Sequence, residues 1–134
     1  MMATAMRFCL LILGAPGNST TRSAYRFAAT ALAQGHQISR LFFYHEGVHN
    51  ASALTAPPRD EEHLPGDWAA LIQEYELAAT VCVASGVRKG LMDDAQAQRL
   101  GRQQGSTRPE FDVAGLGDLV SAAANADRVI TFGP

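Results

Sequence analysis

The sequence predicts an α/β fold: a mainly parallel sheet with helices over both faces. Three observations predict it. Short continuous apolar runs recur along the chain, amphipathic stretches with helical spacing separate them, and Gly, Asn, Ser, Thr or Asp punctuate the junctions. Continuous apolar runs are what strands buried on both faces look like, and strands alternating with helices are connected most simply as parallel crossovers.

The elements follow in order. Arg7–Leu13 is the first strand. Its six-residue apolar core, after a single Arg, has the outline of a signal peptide but is shorter than the roughly 7–15 residues of a secretory h-region. Gly14–Thr21 is the loop after it. Thr20 or Thr21 caps a helix whose Ala24, Phe27, Ala28, Ala31 and Leu32 share one face, and Gly35 stops it. Ile38–Tyr44 is the second strand. The polar, proline-rich stretch His45–Pro65 reads as a long loop, of a kind that is often functional. Asp67 caps a helix carrying Trp68, Leu71, Ile72 and Tyr75 as its buried stripe. Ala79–Ala84 is the third strand, breaking at Ser85-Gly86 into a short helix near Gly86–Leu91. Asp93 starts a helix over Ala95–Leu100 that Gly101 ends. Residues 102–110 read as a polar, mobile segment, Phe111-Asp112-Val113 as a short strand, Leu116, Leu119, Val120 and Ala123 as one more amphipathic helix, and Arg128–Phe132 as the last strand.

Composition narrows the function. The chain has 134 residues, 47% hydrophobic and 18% charged, which suits one domain over residues 1–134 with a single core. A net charge of −2 is no footprint for extensive direct contact with nucleic acid. No run approaches the roughly 20 apolar residues of a membrane span. Two cysteines far apart, each inside an apolar run, form neither a disulfide framework nor a zinc pattern, so a reducing cytoplasmic setting is expected.

In a parallel sheet, chemistry gathers at the carboxyl ends of the strands, and three candidates lie there. Gly14–Thr21 offers Gly, Ser and Thr before a helix, as a phosphate-cradling loop does, but lacks the P-loop lysine and the three spaced glycines of the dinucleotide fingerprint; a plain capped turn explains it as well. His45-Glu46-Gly47-Val48-His49 matches the zinc-protease pattern letter for letter. That pattern works on an α-helix, and here the segment follows a strand and contains Gly47, so it is rejected as a zinc site. His36 and His63 read as isolated, solvated side chains. The third candidate is Cys82, at a strand end before a helix, with Arg88 and Lys89 expected one turn further on as electrostatic support. Such a setting favours a thiolate. The other reading, a small buried hydrophobe, stays open, and Cys9 inside the first strand is read that way. No base is assigned to Cys82, although His45 stands at a neighbouring strand end. A thiolate without base or metal suits the passing of sulfane sulfur as a persulfide.

Phe42-Phe43-Tyr44-x-x-Gly47-Val48-x-Asn50-Ala51, Cys82-Val83-Ala84 with Arg88-x-Gly90, Gly115-Leu116-Gly117-x-Leu119 and the closing Ala126–Phe132 segment resemble, in order and spacing, the DsrE/TusD sulfurtransferase subunits. The resemblance runs from Met6 to the end. It departs at Ser85-Gly86, where small alanines are expected, and at Lys89, where arginine is common; Gly86 is expected to loosen the helix start. The resemblance implies a flavodoxin-like three-layer α/β/α sandwich around about five strands, with Cys82 as persulfide carrier and no cofactor. It implies a cytoplasmic heterohexamer with TusC-like and TusB-like, or DsrF-like and DsrH-like, subunits. A TusA-like protein would donate sulfur and a TusE-like or DsrC-like protein accept it. The destination is 2-thiouridine at the tRNA wobble position, or alternatively dissimilatory sulfur oxidation. The Phe42-Phe43-Tyr44 run and the weakly charged first helix are expected to offer partner-covered surface, unless they are core. Two further alternatives are a flavin- or nucleotide-binding module using Gly14–Thr21, and a scaffold subunit whose cysteine is incidental.

Overall fold

A computed structural model describes residues 4–134. Along the chain run β1 (Arg7–Ile12), α1 (Ser19–Ala33), β2 (Gln37–Phe43), a 3₁₀ helix (His45–Ala51), α2 (Leu64–Tyr75), β3 (Ala79–Cys82), α3 (Val83–Lys89), α4 (Asp94–Arg99), β4 (Asp112–Ala114), α5 (Gly117–Ala124) and β5 (Arg128–Phe132). The five strands are parallel throughout, in the order β4-β3-β2-β1-β5. This differs from the 2-1-3-4-5 order of flavodoxin itself while keeping its three layers.

The layers follow from crossover handedness. Steps from β1 through β4 all move in one direction across the sheet, so right-handed connections put their helices on one face; β5 returns to the far side of β1, which puts α5 on the other. On the first face Leu10, Ile12, Leu41, Phe43 and Val81 pack against Ala24 and Ala28 of α1 and Trp68, Leu71 and Ile72 of α2. Trp68 meets Phe43 and Tyr25 edge-on, with ring centroids 5.4 and 5.1 Å apart. On the second face Arg40 Nη1 donates to Thr80 Oγ1 at 2.6 Å and lies 3.4 Å from Asp118 Oδ2 of α5. The Ser39 hydroxyl donates to the Ala122 carbonyl at 3.3 Å.

Several local expectations change. Asn18, not Thr20 or Thr21, caps α1, its side chain accepting from Thr20 N at 2.9 Å, because the helix begins at Ser19, two or three residues sooner than those caps imply. Gly35, at φ +89°, ends it as expected. Asp67 lies in the first turn of α2 rather than at its cap, since Pro65 pre-sets the helical φ two residues sooner, and Tyr75 is 39% exposed. The start of the long loop is a 3₁₀ helix. Residues 102–110 are not loose: Ser106 N donates to Met92 O, and Arg108 N to Ala51 O, each at 2.8 Å, and Thr107 bridges to Ser52. His36 and His63 are bonded rather than merely solvated; His36 Nδ1 accepts from Met6 N at 3.0 Å, and His63 Nε2 lies 3.4 Å from Arg108 Nη2. Phe42 and Phe43 are core; the exposed large apolar side chains are Leu54, Tyr75, Leu100, Leu116, Val120 and Val129, the last three around α5 and β5.

Candidate functional site

Cys82 ends β3, a four-residue strand buried at every position. Ala79, Thr80, Val81 and Cys82 lie between β2 and β4, where a both-faces-buried position selects small and β-branched side chains. The chain passes from strand to helix with no intervening loop. Cys82 itself is the N-cap of α3, at φ −62° and ψ 121°, and its side chain makes no capping hydrogen bond. The break expected at Ser85-Gly86 therefore comes three residues earlier. A Cβ on Gly86 would stand 2.3 Å from the Leu91 carbonyl oxygen, so the helix lies close against the chain that follows it. Gly86 is a site of close approach and not a loosening of the helix.

This early start moves the cations. Arg88 and Lys89 fall in the last turn of α3, six and seven residues from Cys82, rather than one turn away. At 1.5 Å per residue that is about 9–10 Å along the axis. Arg88 is exposed, and Lys89 is bound to Glu46 Oε1 of the 3₁₀ helix. The hydrogen bond from the Lys89 ammonium is the main reason the Glu46 carboxyl is held below its usual range; desolvation opposes it, and the charge of Lys89 and then His49 add smaller help.

The 3₁₀ helix supplies the other wall. His45 opens it with a left-handed φ of +50°, and its N–H donates to the Ser85 hydroxyl at 3.2 Å, tying the β2 end to α3. Its geometry also disposes of the zinc pattern. At three residues per turn, side chains three apart eclipse and those four apart diverge by a third of a turn. Glu46 Oε2 accordingly sits 3.4 Å from His49 Nε2, and the 3₁₀ repeat does not set His45 and His49 on one face as the zinc pattern needs. The Gly14–Thr21 loop is held by its own side chains: Asn18 caps α1, the Asn50 amide donates to Gly14 O at 3.1 Å, and Thr20 Oγ1 donates to Gly133 O. Beside it is a cavity of about 560 Å³ between Pro16-Gly17 and Glu61–Pro65, crossed by the Arg22–Glu62 ion pair at 2.5 Å.

Cys9 faces the α5 side of the sheet and is fully buried. Burial pushes its thiol above the ordinary range, and the hydrogen bond to Ser39 and the charge of Arg40 only partly offset that. Sequence reasoning did not find the Arg40–Thr80–Asp118 network or the place of Tyr44. The period-2 pattern does carry a signal for both, since Arg40, Phe42 and Tyr44 alternate onto one face.

The fold and a cysteine at a strand-to-helix junction define an α/β protein with one chemically placed thiol, and comparison with known proteins gives the class a name. The profile of the DsrE/DsrF-like family matches residues 6–132, and the chain belongs to that family. It is 46% identical over 129 residues to the DsrE protein of Allochromatium vinosum, covering 96% of this chain and 99% of that one. It is 44% identical to the sulfurtransferase TusD of Erwinia tasmaniensis, with 95% and 100% coverage, and 41% identical to the TusD homolog of Pseudomonas aeruginosa, with 96% and 98%. Within the family it is a sulfurtransferase. The crystal structure of the ychN protein from E. coli has the same fold, with a TM-score of 0.70 at 14% identity over 96% of this chain and 100% of that one.

Proposed function

We propose that Cys82 carries sulfane sulfur as a persulfide and passes it between proteins. The observation that supports this most is the placement of Cys82 as the last residue of β3 and the first of the turn into α3, inside a sulfurtransferase chain whose other thiol, Cys9, is sealed in the core. In the step, Cys82 first gives its proton to solvent. The thiolate then attacks the outer sulfur of a donor cysteine persulfide; the new bond joins Sγ to that sulfur, the donor's S–S bond breaks, and the donor leaves as a thiolate. One sulfane sulfur moves, with no net oxidation or reduction, so neither metal nor organic cofactor takes part. Arg88 and Lys89 support the anion at long range. Handover to the acceptor is the same exchange in reverse.

The subunit works in a cytoplasmic heterohexamer with two similar small subunits, receiving sulfur from a TusA-like donor and yielding it to a TusE-like acceptor toward wobble-position 2-thiouridine. No helix among the described residues is long and apolar enough to cross a membrane. The 46% identity to DsrE favours a second reading, transfer to a DsrC-like acceptor in sulfur oxidation with DsrF-like and DsrH-like partners. Mass spectrometry after incubation with a persulfide-loaded donor tests the common core of both. One sulfur atom is expected on Cys82, none in Cys82→Ser, and unchanged loading in Cys9→Ser. Loading that follows Cys9, or that needs added metal or flavin, would overturn the mechanism.

A further inference from the structure

A sulfur that must meet another protein's persulfide is here almost closed off, because Cys82 is 2% exposed. What closes it can be read from the register. On one side Cys82 pairs with Ala114 of β4, a small residue. On the other, Phe43 of β2 pairs with Val81, so the next step of the parallel ladder sets Tyr44 beside Cys82. Tyr44 keeps the extended conformation of the strand, at φ −133° and ψ 159°. Its ring therefore falls on the same face as Phe42, to which it is 6.4 Å centroid to centroid, and on the face to which alternation from Thr80 also assigns Cys82. Behind Tyr44 lies a second ring, that of His45, at 4.1 Å, on a residue held in the left-handed region at φ +50°. A non-glycine residue in that region costs on the order of 1 kcal/mol or more and persists only where its surroundings hold it.

We propose that Tyr44 is a specificity-determining residue for transfer at Cys82. Its ring, backed by His45, covers the sulfur, keeping out small oxidants and free polysulfide, and yields when a protein donor docks against this face. The inference rests on the persulfide reading for its purpose, but not for its test. Tyr44 is half-buried and His45 exposed, so the pair is the part of the wall able to swing outward, whereas Ala114 belongs to a paired strand.

The experiment measures alkylation of each cysteine by iodoacetamide in the folded protein, located by mass spectrometry. Cys82 of the wild type is expected to react slowly and only through local opening. Tyr44→Ala and Tyr44→Val, the second chosen to keep strand propensity, should raise its rate about tenfold or more, while Tyr44→Phe stays near wild type. Cys9, buried in the same sheet, should stay protected in every variant, which separates an opened gate from a loosened fold. Inorganic polysulfide should likewise load Cys82 faster in Tyr44→Ala than in the wild type. Equal Cys82 rates across all variants, or a rise matched by Cys9, would overturn the proposal. Because alkylation transfers no sulfur, the gate can fail while Cys82 still loads, and loading can fail while the gate stands.

Discussion

The two thiols of this chain differ in position, and position sets their chemistry. Cys9 lies inside β1, where desolvation disfavours its thiolate, so it is expected to stay unmodified at neutral pH until the protein unfolds. Cys82 lies where a strand ends, and its place near that end was legible from the apolar run Ala79–Ala84 breaking at Ser85-Gly86, though the end itself comes two residues sooner. The distance to its cations was not legible. It depends on whether the helix starts at Val83 or three residues later, and Val83-Ala84 continues the apolar run of the strand, which by itself reads as strand or helix. The charges thus act from roughly 9 Å, where a unit charge in water is worth about 0.5 kcal/mol. Arg88→Ala and Lys89→Ala should each slow persulfide loading only about twofold, with the difference shrinking at high salt. Stopped-flow loading at two ionic strengths checks this; a hundredfold loss from either substitution would mean direct contact with the transferred sulfur.

Among the elements, strands and long helices were readable because their periodicity is local. The 3₁₀ helix was not: its residues carry a glycine and two histidines with no apolar stripe, and what orders them is the Asn50 bond to Gly14 and the Glu46–Lys89 pair reaching across to α3. That pair has a pH signature. The folded Glu46 carboxyl lies below its unfolded value of about 4.3, so its contribution is fully present above that value and is lost as pH falls through the lowered folded one. The stability gap between wild type and Glu46→Gln should be constant near neutrality and close below about pH 4, as followed by urea denaturation across that range. A gap that widens on acidification would show that the pairing does not stabilise the fold. Gly86 gives the opposite lesson to helix propensity. Alanine is better in a helix by roughly 1 kcal/mol, yet here its Cβ would meet a backbone carbonyl at 2.3 Å. The clash should win, since overpacking typically costs about 1–3 kcal/mol and a backbone atom cannot rotate away. Gly86→Ala is expected to lower Tm by several degrees in thermal denaturation, and a rise in Tm would show that α3 can relax.

At the scale of the whole molecule the two sides of the sheet are unequal. Alternating elements made the three layers legible, but the strand order was not, since each connection is long enough to return on either side of the sheet. Its consequence is physical: three steps in one direction load one face with helices, and the single return step leaves only α5, eight residues or about 12 Å long, for the other. The contacts with Ser39 and Thr80 place α5 over β2 and β3, so β5, at the opposite edge, presents Val129 and Thr131 uncovered. Val129 is 47% exposed, Leu116, at the N-cap of α5, is 49% exposed, and Val120 within α5 is 69% exposed. Single exposed apolar residues are ordinary, but these three lie around the thinly covered face and its edge strand, where partner subunits could bury them together. If the proposed assembly uses this face, Val120→Asp and Val129→Asp should each abolish the hexamer-sized species on co-expression with the two paralogous subunits. The isolated chain should change in stability by no more than about 0.5 kcal/mol, because these side chains contribute little to its own core. Light scattering behind size exclusion reads the assembly, and urea denaturation the stability. A charged residue buried in a subunit interface costs several kcal/mol, so an intact hexamer in both variants would place the contact on another face of the molecule.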